Sequence, residues 1–283
     1  MSDPLALPGL PPDASQRVRV TVADHVAIVA LDRPEKHNAL DVAMFDAIAA
    51  AADAVAAADG IRAVVLHGLG KSFCSGIDLA SFGGESNALR AMMRRDPGRR
   101  ANHAQRAAID WLELDVPVVA AIHGNCLGGG LQIALGADIR IAAPDARLSI
   151  REVQWGVVPD MGITATLPRL VRLDVAKELT FTARVFSGTE AQALGIVTRV
   201  SDDPLIAACA LAADIASRAP EAVRAAKRLL DENWSVPREV GLMVESELQL
   251  DVLESPSHAA AVAAGRAGTV PEFTDPPRSK RRG

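Results

Sequence analysis

Aromatic residues are scarce in this chain: they make up 3% of its 283 residues, and tyrosine is absent. Proteins that bind single-stranded nucleic acid stack the bases on aromatic side chains, and duplex DNA attracts a surplus of positive charge. The formal net charge of this chain is −5. Composition and charge therefore argue against nucleic acid as a partner.

Long apolar runs and paired cysteines are also missing. No stretch approaches the roughly 18 apolar residues of a membrane span, and no basic region followed by an apolar run stands at the N-terminus. Cys74, Cys126 and Cys209 are scattered without a Cys-x-x-Cys pair, which predicts reduced thiols in a cytoplasmic protein. We expect no membrane contact, and we interpret Cys126 as a buried structural thiol rather than a nucleophile.

Motifs of several other enzyme classes are incomplete. Gly70-Lys71-Ser72 resembles the end of a phosphate-binding loop, but Val65 stands where that motif needs its first glycine. The glycines at 128–130 lack the last glycine of a dinucleotide fingerprint, because Ile133 takes its place. No Gly-x-Ser-x-Gly is present, and the six histidines have no zinc-like spacing. We expect no metal and no separate cofactor.

The pattern of apolar residues predicts an α/β protein. Hydrophobic residues make up 49% of the chain, enough for a sizeable core. Up to about residue 200, short β-rich runs alternate with segments of helical period. We predict a hairpin from the runs 17–22 and 25–31, and further strands at 63–67, 117–122 and 138–142. Predicted helices run from Asp41, the expected N-cap, to about Ala58, then over 107–114 and 131–135, and beyond Pro204 over 204–218, 221–233 and 238–253.

Three segments lack such a pattern. We interpret residues 1–16 as a flexible N-terminal tail and 271–283 as a basic tail. The arginine-rich stretch 86–106 is either a mobile lid over a substrate or a solvated connector.

Two loops that follow predicted strands carry the candidate chemistry, Lys71–Leu79 and His123–Gln132. The second contains Gly128, Gly129 and Gly130 at the start of a helix, where three glycines cost backbone entropy. Backbone N–H groups at a helix N-terminus can approach a ligand closely and stabilise a developing oxyanion. The same glycines can instead serve close packing of strand and helix, and the pattern leaves both interpretations open.

Read together, these loops and the segments around them resemble the crotonase (enoyl-CoA hydratase/isomerase) superfamily. The resemblance extends from about Val18 to Phe273 and rests on the order and spacing of several pieces. They are Leu31-Asp32-Arg33-Pro34, Asn38-Ala39-Leu40, Phe73-Cys74-Ser75-Gly76-Ile77-Asp78-Leu79, Leu127-Gly128-Gly129-Gly130, Ala137-Asp138-Ile139-Arg140-Ile141-Ala142, Gly156-Val157-Val158-Pro159 and Phe186-Ser187-Gly188 with Ala193-Leu194-Gly195-Ile196-Val197.

The resemblance implies a spiral of ββα units over residues 17–200 and a C-terminal helical subdomain over 201–270 that assembles a homotrimer or hexamer. It implies an acyl-CoA thioester substrate whose carbonyl is held by the N–H groups of Ser75 and Gly129. Coenzyme A, as part of that substrate, would lie along a set of residues in two loops: Lys36, Ala39, Ile77, Asp78 and Leu79. Lys36 is equally acceptable as a plain surface lysine.

The resemblance also names the acid–base candidates. Gln132 stands where family hydratases carry one glutamate, and Glu152 matches their second. Asp160 matches a carboxylate of the dienoyl-CoA isomerase branch. Glu152 could instead be hydrogen-bonded to loop backbone, and Asp160 could cap a helix over 162–170.

A carboxamide orients groups but cannot shuttle a proton as a carboxylate does. With Glu152 as the firm carboxylate, we predict double-bond isomerisation or weakened hydration of enoyl-CoA, with pKa values raised by an apolar acyl site. The alternatives are an acyl-CoA-binding protein without catalysis, or another enolate reaction such as hydrolysis or decarboxylation. Trp155 and Phe82 line the acyl pocket or pack in the core, and Arg151 pairs with a carboxylate or is exposed.

Overall fold

The predicted hairpin opens the main sheet. Strands β2 (Val18–Ala23) and β3 (Val26–Leu31) pair in antiparallel orientation, and the turn residues Asp24 and His25 have positive φ angles of 47° and 66°. The structure is a computed structural model, and it describes residues 5–6, 17–81 and 90–276. At the edge of β2 lies the short strand β1 (Leu5–Ala6), which falls within the segment predicted as a tail.

Parallel strands extend the sheet from β3. These are β4 (Ala63–Gly68), β5 (Val118–Ile122), β7 (Ile139–Ala142) and β10 (Arg199–Val200). A second, smaller sheet consists of β6 (Asn125–Leu127), β8 (Arg147–Ser149) and β9 (Phe186–Ser187). Our prediction included none of these three strands, because two or three residues are too few to show a period of two.

Helices pack on both faces of the main sheet. They are α1 (Val42–Ala57), α2 (His103–Leu112), α3 (Gly129–Leu135), α4 (Ile163–Thr166), α5 (Leu173–Thr182), α6 (Gly188–Leu194), α7 (Pro204–Ala216), α8 (Pro220–Asn233), α9 (Arg238–Leu253) and α10 (Pro256–Ala267). Helix α7 lays Ala208, Ala212 and Ala216 on Val65 and Val119 of the sheet, while α1, α2 and α3 contribute to the larger core on the other side. The predicted α/β class is confirmed.

The boundaries of the early helices follow their caps. Asp41 begins α1 as predicted, since its carboxylate accepts a hydrogen bond from the Met44 N–H at 2.8 Å. Helix α2 begins at His103 rather than at 107, because Asn102 and Gln105 form a reciprocal capping box.

The segment before α2 is fastened to the core at its C-terminal end. Arg99 and Arg106 both donate to the carboxylate of Asp53 on α1, at 3.1 and 2.7 Å. These bonds favour a connector over a lid at residues 99–106, and the choice for the whole stretch stays a prediction, with residues 86–89 outside the described ranges. Close to the C-terminus, Arg62 binds the carbonyl of Phe273 and the carboxylate of Asp275, so the chain contacts the core up to that point.

The described residues contain neither a membrane-spanning helix nor a cluster of metal ligands. No helix in the ranges 17–81 and 90–276 is long and apolar enough to cross a membrane. Within the same ranges, no three histidine, cysteine, aspartate or glutamate side chains are grouped as metal ligands.

Candidate active site

The three consecutive glycines join β6 to α3, and each meets a different neighbour. Gly128 has a φ of 52°, and a side chain there would come within 3.3 Å of Oε1 of Glu152. A side chain on Gly130 would collide with the backbone of Cys74. Packing and backbone conformation thus account for the first and third glycines. A side chain on Gly129 would meet only the ends of two flexible side chains, Leu40 and Met161, each at 2.9 Å.

The N–H of Gly129 has no acceptor among the residues that the structure describes. It is the first N–H of α3, and the first turn of a helix offers no partner to its own N–H groups. The positive end of the helix dipole lies at the same place. This N–H is therefore available to a ligand.

A second unpaired N–H belongs to Ile77. Leu40 donates its N–H to the carbonyl of Gly76 at 2.8 Å and accepts the N–H of Asp78 at 3.0 Å. In such a parallel bridge the middle residue directs its own N–H to the other side of the strand. No described residue accepts the N–H of Ile77.

The segments that contain Ile77 and Gly129 lie side by side. The strand that contains Ile77 pairs on its other side with β6, through the bridge between Cys74 and Cys126. A Cβ atom built on Gly76 would lie 3.6 Å from the nitrogen of Gly129. The structure thus brings the residue after Gly76 beside the first residue of α3.

Ser75 does not supply a free donor. Its N–H donates to the carbonyl of His37 at 2.9 Å, and its hydroxyl donates to the carbonyl of Lys36 at 3.3 Å. The prediction that the Ser75 N–H faces the substrate is contradicted, because this N–H is already bonded to the carbonyl of His37. Gly76, with a φ of 87°, interrupts the regular strand between Ser75 and Ile77, so the two N–H groups need not point to the same side. The role of Gly129 as a donor stays a prediction.

The acid–base candidates Glu152 and Gln132 are in direct contact. Gln132 donates its side-chain N–H to Oε1 of Glu152 at 2.6 Å, and its own Oε1 accepts the N–H of Met161 at 2.8 Å. Because a backbone N–H can only donate, the carbonyl oxygen of Gln132 must face Met161 and its amide nitrogen must face Glu152. The orientation of the amide is therefore determined.

The carboxyl group of Glu152 has one unpaired oxygen. The residue is 6% exposed, and its Oε2 has no hydrogen-bond partner among the described residues. Burial raises the pKa of Glu152 above that of an ordinary glutamate, and the negative charge of Asp160 raises it further. The N–H groups of Glu152, Arg151 and Gln132 offset this only in part. The protonated form of Glu152 is therefore favoured more than that of an ordinary glutamate.

Asp160 lies close enough to Glu152 for its charge to act on that carboxyl group. It is half-buried, and burial raises its pKa. It is not a helix cap, since α4 begins after Gly162 and no side chain caps it. The interpretation of Asp160 as a cap is wrong, because residues 160–162 turn before the helix starts.

The residues predicted to bind coenzyme A lie in two adjoining loops. The carboxylate of Asp78 already accepts from Arg33 at 2.7 Å and from the hydroxyl of Ser81 at 2.8 Å, and these bonds lower its pKa. Arg33 also donates to the carbonyl of Ala39 at 3.1 Å. The side chains of Lys36 and Leu79 are exposed. Arg33, which we had considered only as part of a motif, thus ties the two loops together.

Other predictions have mixed outcomes. Trp155 is 55% exposed, so core packing is wrong for it, and Phe82 lies outside the described residues. Arg151 forms no ion pair with Glu152 or Asp160, all three of which are described. Cys126 is fully buried and its pKa is well above the ordinary thiol value, which confirms a structural thiol.

Fold and site together define a class: an α/β protein in which a backbone N–H without an acceptor among the described residues begins a helix beside a buried carboxyl group of raised pKa. The chain belongs to the enoyl-CoA hydratase/isomerase family, whose family model matches residues 21–268.

Comparisons with individual proteins agree. The mitochondrial Delta(3,5)-Delta(2,4)-dienoyl-CoA isomerase of Mus musculus is 38% identical over 224 residues, which are 75% of this chain and 68% of that protein. The peroxisomal protein of the same name from Arabidopsis thaliana is 34% identical over 266 residues, 90% of this chain and 95% of the relative. The crystal structure of an enoyl-CoA hydratase from Bacillus anthracis superposes with a TM-score of 0.82 at 30% identity, over 91% of this chain and 99% of that chain. The implied crotonase fold is thereby confirmed.

Proposed function

We propose that this protein is an acyl-CoA double-bond isomerase that acts on enoyl- or dienoyl-CoA thioesters. The observation that carries the proposal is the carboxyl group of Glu152, which is buried, has a raised pKa and keeps one oxygen unpaired. Such a group can give or take a proton at a substrate carbon. The dienoyl-CoA isomerases at 38% and 34% identity support the same reaction.

The thioester carbonyl would accept hydrogen bonds from the N–H groups of Ile77 and Gly129. Neither donor has an acceptor within residues 5–6, 17–81 and 90–276, so neither needs to break a bond to those residues before it binds an oxyanion. Removing one donor of an oxyanion hole costs about 10²–10³-fold in rate. Leu40 and Met161, whose side chains end beside Gly129, form an apolar wall that strengthens these bonds by excluding water.

Isomerisation of a 3,5-dienoyl thioester to the 2,4-isomer moves one proton. C2 loses the proton, since it lies next to the carbonyl, and its electron pair is delocalised into the thioester and the diene. The double bonds then become C2–C3 and C4–C5, and C6 gains a proton. No atom is added or lost. Because C2 and C6 are four bonds apart, two separate carboxyl groups suit the two transfers.

The two carboxyl groups of the site differ in the way that this reaction needs. Asp160 is half-buried, whereas Glu152 is more deeply buried and the charge of Asp160 raises its pKa further. We propose that Asp160 is the group that ionises first. Asp160 would accept the proton from C2, and Glu152 would donate from Oε2 to C6. Two neighbouring acids with separated pKa values are a recurrent acid–base arrangement. Exchange with water then restores both protonation states.

Gln132 disfavours hydration in this scheme. Hydration uses a base to activate water, and an amide fixed between Glu152 and Met161 cannot accept the proton of that water. Gln132 instead orients the carboxyl group of Glu152 and leaves Oε2 towards the substrate. Coenzyme A enters as part of the substrate, and the proposed reaction needs no further cofactor.

Product analysis tests the proposal. The protein is incubated with 3,5-dienoyl-, 3-enoyl- and 2-enoyl-CoA of several chain lengths, and products are identified by mass spectrometry and by the absorbance of the conjugated 2,4-dienoyl thioester. We expect isomers of unchanged mass. Products heavier by one water would indicate a hydratase, and free coenzyme A would indicate a hydrolase. Binding without any product would mean an acyl-CoA-binding protein.

Substitutions at the carboxyl groups test the mechanism. Glu152→Gln should lose at least about 10²-fold in kcat, since general acid–base catalysis contributes about 10²–10⁴-fold. In deuterated water, Glu152 as donor should place solvent deuterium at C6 from the first turnover. Transfer of the substrate's own C2 hydrogen to C6 would instead indicate a single base, and undiminished turnover by Glu152→Gln would rule out the assignment.

A further inference from the structure

The side chain of Asn38 contacts the loop that leads to the proposed oxyanion hole. Its side chain is fully buried, and the amide nitrogen donates to the carbonyl of Leu69 at 2.9 Å and to that of Ser72 at 2.8 Å. The carbonyl of Phe73 lies 3.2 Å from the same nitrogen. A single amide thus contacts three carbonyl groups of one loop, and the last of them, on Phe73, is four residues before Ile77.

The neighbouring residues and the backbone conformation of Asn38 permit this contact. A side chain on Gly68 would overlap the carbonyls of Ser72 and Phe73, so only glycine lets them converge on the amide. The N–H of Arg33 donates to Oδ1 of Asn38 at 2.8 Å, which determines the orientation of the amide. Asn38 itself has a φ of 56°, a left-handed conformation that asparagine tolerates better than most residues.

The same short segment also holds Ile77 directly. Leu40, two residues after Asn38, binds the groups on both sides of Ile77 through its own N–H and carbonyl. Asn38 therefore links two parts of the structure that position the N–H of Ile77. One is the loop that precedes Ile77, and the other is the backbone bridge between Leu40 and Ile77. Movement of Asn38 would displace the Ile77 N–H relative to Gly129.

We propose that Asn38 is a positioning residue for the Ile77 donor of the oxyanion hole. It does not touch the substrate, and its amide determines the distance between the two N–H groups. The inference rests on the proposed function, because it assigns a role within that site. A donor misplaced by about 1 Å can cost about 10²-fold in rate.

The test uses a 3-aryl-2-enoyl thioester of coenzyme A as a chromophoric probe. Its absorption moves to longer wavelength when the thioester carbonyl is polarised. Wild-type protein should bind the probe and produce this shift. If wild-type protein does not bind it, the proposed function fails, and that result is separate from any result with the variants.

The decisive variant is Asn38→Gly, because glycine accepts the left-handed backbone and removes only the amide. We expect probe binding to persist, the spectral shift to be lost and kcat on the best substrate to fall about 10²-fold, with KM little changed. Asn38→Ser, which keeps one donor, should recover part of the shift. Asn102→Ala is the matched control, since it removes a buried asparagine that caps α2.

Three results would overturn the proposal. The first is an unchanged spectral shift and kcat in folded Asn38→Gly. The second is an equal loss in Asn102→Ala. The third is failure of both Asn38 variants to fold, which would make the amide a requirement of stability alone.

Discussion

The burial of Glu152 conflicts with the proton transfer proposed for it. Its carboxyl group is buried with an unpaired oxygen, which disfavours the charged form, and yet proton transfer requires it to ionise in each cycle. Catalytic residues often show such tension, since a pKa near neutral pH comes from an environment that costs stability. The raised pKa of Glu152 should therefore affect both the rate and the stability of the protein.

The rate should depend on pH through both carboxyl groups. Activity requires Asp160 to be ionised and Glu152 to be protonated, so kcat/KM should rise as Asp160 loses its proton and fall as Glu152 does. Since both pKa values are raised, both limbs should lie above the ordinary carboxyl range near pH 4. Steady-state kinetics across pH would measure this. A falling limb that persists in the residual activity of Glu152→Gln would belong to another group.

Glu152→Gln should make the protein more stable at alkaline pH. A carboxyl group with a raised pKa in the folded state binds its proton more tightly there than in the unfolded chain. Wild-type stability therefore falls as pH rises from the pKa of the unfolded chain to that of the folded protein, by about 1.4 kcal/mol for each pH unit in that interval. The glutamine variant lacks this loss. Thermal unfolding should show a higher Tm for Glu152→Gln at pH 8, and a difference that shrinks towards pH 4. An equal difference at both values would point to packing instead.

At the scale of elements, the start of helix α3 matters for the site, because its first residue is Gly129. Its seven residues, Gly129–Leu135, are all buried, and its first N–H has no acceptor in the part of the chain that the structure describes. The chain passes from β6 into this helix through Gly128, whose left-handed conformation turns the backbone. Strand, turn and helix together present one backbone donor at a defined point beside Glu152.

Two substitutions at Gly129 distinguish the effect of losing its N–H from the effect of adding a side chain there. Gly129→Ala and Gly129→Pro place a similar group against Leu40 and Met161, but only proline removes the N–H. Proline is also accepted at the first position of a helix. We expect Gly129→Pro to lose about 10²–10³-fold in kcat relative to Gly129→Ala. Equal activities, with equal circular dichroism spectra, would mean that this N–H does not act on the substrate.

At the scale of the whole molecule, the C-terminal helices have an internal and an external side. Lys227 on α8 is buried in an ion pair with Asp138, beside the sheet, and this contact attaches α8 to the core. Trp234, directly after α8, is 69% exposed, and on α9 Met243 is 61% exposed and Leu242 and Leu250 are also exposed. Apolar surface of this kind is typical of an interface.

The homotrimer or hexamer therefore stays a prediction that these side chains support. Light scattering should give a mass of three or six times the 29.7 kDa of one chain. Met243→Glu together with Leu250→Glu should lower the mass of the assembly, because burying unpaired charges at an interface is costly, and should leave the helix content unchanged. A monomeric wild-type protein at micromolar concentration would contradict the prediction.

The sequence alone was sufficient for the alternation of strands and helices, the Asp41 cap and the helices predicted over 204–218, 221–233 and 238–253. These follow from hydrophobic period and capping residues, which act over a few neighbouring residues. The candidates Gly129, Gln132, Glu152 and Asp160 came from the resemblance to a family, which rests on the order and spacing of motifs along the chain. The two- and three-residue strands β6, β8 and β9 could not be predicted in this way, because they are stabilised by partners distant in the chain.

Only the tertiary structure decided which N–H groups are free. Ser75 and Ile77 are two residues apart in one loop, but their N–H groups have different partners. The carbonyl of His37 accepts the N–H of Ser75. Leu40 binds the residues before and after Ile77, and no described residue accepts the N–H of Ile77 itself. In the same way, the pairing of Gln132 with Glu152 joins residues 20 positions apart. A local pattern states which groups are present, but hydrogen bonds between distant segments determine which of them are available for catalysis.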